Sequence, residues 1–203
     1  MKRLLVLLAP LAGAIAFAVP ASAQAYTTVW YAHNHRLAPG ETVPVTFKGT
    51  TSLYVEFIGA RVTCSVKGAE TITNPAEGFG TNEITELSFH SCAFEYGEQT
   101  ARHKVCPKNT KIELTAEDLP WKGQLTFYLG DAVEGVHLLL DCTGGLDAEE
   151  ITGMFDPLVG YNKLIFGLEE GNVLSDYTII TGTWLLEGPT AQKAITALLA
   201  PEA

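Results

Sequence analysis

The sequence predicts an all-β protein, an antiparallel β-sandwich with a barrel as the alternative, and three observations carry that expectation. The first is strict alternation. Arg61-Val62-Thr63-Cys64-Ser65-Val66-Lys67 puts Val62, Cys64 and Val66 on one face and charged or hydroxyl residues on the other. Val136 to Cys142 repeats the rule, with Val136, Leu138, Leu140 and Cys142 together. A period of two marks a half-buried strand. The second is rhythm: Gly123, Gly130, Gly135, Gly144-Gly145, Gly153, Gly160, Gly167, Gly171 and Gly182 break the second half into short pieces. That is the punctuation of a sandwich or barrel, not of alternating strands and helices. The third is the set of four cysteines without a C-x-x-C pair, which reads as a disulfide framework.

The chain opens with basic Met1-Lys2-Arg3, an apolar run from Leu4 to Ala18, and the small residues Val19-Pro20-Ala21-Ser22-Ala23. This three-part layout is that of a secretory signal peptide over 1–23, with cleavage after Ala23. The apolar run is shorter than the roughly 20 residues that cross a bilayer, so no membrane span is expected. Residues 24–203 then form one disulfide-stapled β domain, secreted to the cell exterior. Cleavage takes Lys2 and Arg3 from 13 basic residues and none of the 23 acidic ones, so a net charge of −10 becomes more negative still. An acidic chain is a poor partner for a phosphate backbone, and nucleic acid is not expected as a ligand.

The elements follow in order. Thr27 to His33 is the first strand. Thr42 to Lys48 alternates well, with Pro44 pointing to an edge or a strand start because it lacks an amide donor. Leu53 to Ile58 leads through Gly59 into the Cys64 strand. Ile84 to Phe94, Lys111 to Leu114, Leu125 to Leu129, Val136 to Cys142, Ile151 to Phe155, Leu164 to Leu168 and Thr178 to Leu186 continue the series. Only the C-terminus reads as a helix: Gly188-Pro189 ends the last strand, Thr190 can cap, Ile195, Leu198 and Leu199 share one helical face, and Pro201 stops it.

Two inward-facing cysteines on well-patterned strands favour a Cys64–Cys142 bridge, which leaves Cys92–Cys106 to close the polar segment between them. His33 and His35 would share one face of a strand, a spacing that can chelate zinc or copper; His90, His103 and His137 add no matching ligand. A metal-dependent enzyme built on His33 and His35 is therefore one alternative reading. No nucleophile elbow, phosphate loop or zinc-protease helix occurs, and no cofactor is called for. The string Leu119-Pro120-Trp121-Lys122-Gly123 reads as a rigid turn whose Trp121 caps the core; an exposed Trp121 stacking on a sugar is the sharper version.

The alanine-rich leader, the four spaced cysteines, the Leu-Pro-Trp turn after the third of them and the glycine-rich C-terminal strands resemble a loose group of exported actinobacterial β-rich proteins. The resemblance implies a β-rich exported domain and brings no activity with it. A second, local one concerns Cys106-Pro107-Lys108, which looks like the reactive-site string of the secreted Streptomyces subtilisin-inhibitor family, although this chain is longer and its cysteine spacings differ. It implies a serine-protease inhibitor with Lys108 offered to a trypsin-like pocket. The function the sequence supports is a secreted, non-catalytic binding or structural domain that recognises an extracellular protein or glycan.

Overall fold

The computed structural model describes residues 26–55, 60–96, 111–142, 148–167, 174, 178–189 and 195–201. The leader, Cys106 and Lys108 lie outside these.

Every regular element among the described residues is a strand. They are β1 (Tyr26–Ala32), β2 (His35–Arg36), β3 (Thr42–Val55), β4 (Ala60–Thr73), β5 (Thr81–Tyr96), β6 (Ile112–Ala116) and β7 (Trp121–Leu125). There follow β8 (Asp131–Cys142), β9 (Glu149–Phe155), β10 (Leu158–Gly160), β11 (Lys163–Phe166), β12 (Thr178–Glu187) and β13 (Ile195–Pro201). All ladders are antiparallel. A three-stranded sheet has the order β13-β1-β2. A ten-stranded sheet runs β10-β11-β12-β3-β4-β5-β6-β8-β7, with β9 attached to β8 and β7 also paired to β5.

The alternation read from the sequence is what builds this sheet. In β4, Val62, Cys64, Val66 and Ile72 face in and are buried, while Arg61 and Lys67 face out. Inward side chains from both sheets meet in one core that includes Trp30, Leu53, Leu138, Phe155, Trp184 and Ile195. The long sheet folds over on itself to make that core. Phe155 of β9 lies edge-on to Trp121 of β7 at 5.8 Å, to Phe166 of β11 at 5.6 Å and to Trp184 of β12 at 6.1 Å, so strands far apart in sheet order touch face to face. Among the described residues the sheet's margins approach around Gly130. Val159 N donates to Leu129 O at 2.7 Å, Asp131 N donates to Pro157 O at 2.9 Å, and an isolated bridge joins Gly130 to Leu158. The result is sandwich-like and not a closed barrel.

Four sequence expectations are corrected. The C-terminal segment is strand β13, not a helix: residue for residue it pairs with β1 from Ile195↔Ala32 to Pro201↔Tyr26. A ten-residue helix is marginal by itself, whereas pairing satisfies the β1 backbone and buries Ile195, Ala197 and Ala200. The Leu125–Leu129 strand is displaced: β7 ends at Leu125, and Thr126 to Leu129 make the turn into β8. Several glycines read as turns lie inside strands. Gly182 in β12, at φ +146, has no room for a Cβ, which would stand 2.2 Å from Thr50 O. The expectation for Pro44, an edge or a strand start, holds: it is the third residue of β3, and β12 pairs β3 only from Thr46 onward, so its missing amide falls where β3 is locally an edge.

The fourth correction is the disulfide. Cys64 is bonded to Cys92, across neighbouring strands with Cα atoms 4.1 Å apart. The bond sits at a bulge, where Ser91 (φ +53) and Cys92 together face Cys64 between the Thr63↔Ala93 and Ser65↔His90 pairs. Cys142 does face inward, as expected, but β5 and β6 separate its strand from β4. Three strand spacings are about 14 Å, twice the reach of a disulfide. With Cys92 occupied, the Cys92–Cys106 pairing falls as well; Cys142 is also disulfide-bonded, to a residue outside the described ones.

Candidate functional site

Two polar assemblies stand out, one inside the sandwich and one on its outer face. The inner one begins with three polar residues on apolar parity. Glu70 follows Val62, Cys64 and Val66 down the inward side of β4, Asn82 precedes Ile84 on β5, and Asp131 precedes Val133 on β8. Glu70 and Asp131 are 1% and 0% exposed. The Asn82 amide bridges them, Nδ2 donating to Glu70 Oε2 at 2.9 Å and to Asp131 Oδ2 at 2.8 Å. Gly123 of β7 leaves the space for this amide, since a Cβ there would lie 2.0 Å from Asn82 Oδ1.

Burial pushes the Glu70 carboxyl up to about 7, against the stabilising hydrogen bond from Asn82. Asp131 is raised well above the usual carboxylate range, by burial first and then by the neighbouring Glu70 charge. Asp156, just beyond β9, is raised by partial burial. Two carboxyls this close in a dry interior do not both ionise at neutral pH, so the pair keeps a proton. Both carboxyls are buried, and the chemistry the pair offers is proton uptake linked to folding.

The outer assembly is the solvent face of four strands, β12-β3-β4-β5, where the registers place side chains in rows across the sheet. One row reads Leu185, Lys48, Lys67, Ser88, and the next Thr183, Thr50, Ser65, His90. A third reads Thr181, Ser52, Thr63, Ala93, and the fourth Ile179, Tyr54, Arg61, Glu95. On β12, β3 and β4 the two middle rows carry short hydroxyl side chains, with Ser52 Oγ and Thr63 Oγ1 hydrogen-bonded at 2.8 Å; on β5 they end in His90 and Ala93. The flanking rows carry long ones. A trough with a hydroxyl floor therefore crosses the strands, with hollows of about 450 Å³ beside Lys48, Lys67 and His90 and about 580 Å³ beside Tyr54, Arg61 and Ile179. Rows two residues apart are about 7 Å apart along a strand, so the walls stand roughly 20 Å apart at the backbone.

The sequence-stated candidates fare differently. His33 and His35 do not share a strand face: His33 (φ +58) and Asn34 (φ +64) are the two turn residues of the β1–β2 hairpin, and His35 begins β2. No group of three or more His, Cys, Asp or Glu residues suited to a metal occurs among the described residues. Trp121 is 1% exposed and donates from Nε1 to Glu117 O at 2.9 Å, so it caps the core and offers no ring to a sugar. His137 is tied to Asp118, Nδ1 to Oδ2 at 2.8 Å, a hydrogen bond that raises the imidazole pKa. Lys108 lies outside the described residues. Sequence reasoning missed both assemblies. Polar residues on apolar parity signalled the inner one. The outer one depends on lateral register, which a single strand does not encode. No protein-family model, curated protein or solved structure matches this chain.

Proposed function

We propose that this protein is a secreted, non-catalytic binding domain, and that the trough across β12-β3-β4-β5 is where it holds an extracellular ligand. The observation that carries the reading is the trough itself: two adjoining rows of short hydroxyl residues between two rows of long side chains, on a face the core does not use. A rigid central sheet presents these groups with their backbone already fixed, so little conformational entropy is lost on binding. The Cys64–Cys92 bond under the same face fits an oxidising compartment, in keeping with export.

The test uses the protein without residues 1–23, mixed with washed surface material of the cell that secretes it. Retention is expected, with loss in a Thr50→Trp variant that fills the floor and remains folded by circular dichroism. Equal retention of that variant, or conversion of the surface material to soluble products, overturns the reading.

A further inference from the structure

We infer that the trough selects an acidic polysaccharide, the cations on its two walls pairing with the anionic groups of a chain laid across the strands. This rests on the binding reading above and names the ligand class for the same site.

The first argument is a broken local rule. Lys48 and Lys67 stand directly opposite one another on β3 and β4, and like charges so placed oppose strand pairing. In a chain with 23 acidic and 13 basic residues, chance favours an acid beside a lysine. A local conflict kept without structural gain points to use. Glu187 pairs with Lys48 from the margin of the sheet. Lys67 has no side-chain partner among the described residues. On the opposite wall Arg61 stands between Tyr54 and Glu95. Cations therefore stand on both sides of the floor, Lys67 without an acid opposite it and Lys48 and Arg61 each beside one, Glu187 and Glu95.

The second argument is the composition of the floor. Protein-binding surfaces centre on aromatic, methionine and arginine side chains in an apolar core, whereas this surface centres on serine and threonine. Hydroxyl groups both donate and accept, which suits sugar hydroxyls. Tyr54, 38% exposed, adds one aromatic ring on a wall. Four strands span about 15 Å between outer strands, long enough for several sugar units. A nucleic acid would need more cations than the three here, because its affinity comes from neutralising many phosphates.

The experiment measures binding of the protein without residues 1–23 to polygalacturonate and to dextran, at low and at 0.5 M salt. We expect polygalacturonate to bind and dextran not to, with binding lost at high salt because exposed charge pairs are screened. Lys67→Gln and Arg61→Gln should each weaken it roughly two- to fivefold, the range of single exposed ion pairs. Arg36→Gln, which removes the same charge from β2 in the other sheet, should leave it unchanged. Equal affinity for both polymers, or equal effects of Lys67→Gln and Arg36→Gln, overturns the inference while leaving a binding domain in place. Binding to neither polymer overturns it too, and retention on surface material with loss in Thr50→Trp then shows that the binding reading itself survives.

Discussion

Asn82 holds together two groups that would otherwise repel. Its amide gives one hydrogen to Glu70 and the other to Asp131, both fully buried. Replacing it with alanine leaves two buried carboxyls without their shared donor, and we expect Asn82→Ala to cost about 3 kcal/mol, measured by urea denaturation. The same pair makes stability depend on pH. Glu70 rises from 4.5 when unfolded to about 7 in the folded protein, so the folded state binds more protons. Its contribution is complete below about pH 4.5 and is lost as pH rises through about 7. The melting temperature should therefore fall between pH 5 and pH 8, a direction opposite to that of proteins stabilised by paired carboxylates. Glu70→Gln should flatten the slope; an unchanged slope would place its origin elsewhere.

At the scale of elements, the strands were legible and their neighbours were not. Val62, Cys64, Val66 and Ile72 on one parity gave β4 from residue types alone, because burial on one face imposes a period of two. The same parity put Cys64 and Cys142 inward, yet facing inward does not make two residues adjacent. Which strands lie side by side is settled by pairing over long sequence separations. Peptide mapping without reduction should recover Cys64 linked to Cys92, and a Cys64→Ala/Cys92→Ala variant should lose about 3.5 kcal/mol by loop entropy for a separation of 28 residues. The helix expected near Ile195 failed for a related reason. Its apolar residues fit two periods over a short span, and the exposed backbone of β1 chose between them. The trough was hidden in the same way: Thr50, Ser65 and Thr183 are ordinary outward residues until two registers align them.

Across the whole molecule, one side chain stands at the centre of the sandwich. Phe155 touches Trp121, Phe166 and Trp184 and is fully buried, so it joins the two halves of the long sheet through aromatic contacts that add to the backbone hydrogen bonds around Gly130. Phe155→Ala should cost about 3–5 kcal/mol. The loss should appear together by fluorescence and circular dichroism, because both halves share the one core. Separate transitions by the two probes would show that the halves stand independently. This centre was only partly legible. The sequence marked Trp121 as a cap on the core, but an isolated Phe in Gly153-Met154-Phe155 gives no sign of the three rings it will meet.

The pairing of β1 with β13 has a temporal consequence. Tyr26 is among the first residues of the fold to leave the ribosome, and its partner Pro201 is among the last. The opening strand must wait through almost the whole length of the chain before its ladder can form. Trp30, packed in the common core, waits with it. The first strand made is thus among the last to be paired, which ties completion of the native state to release of the trailing end.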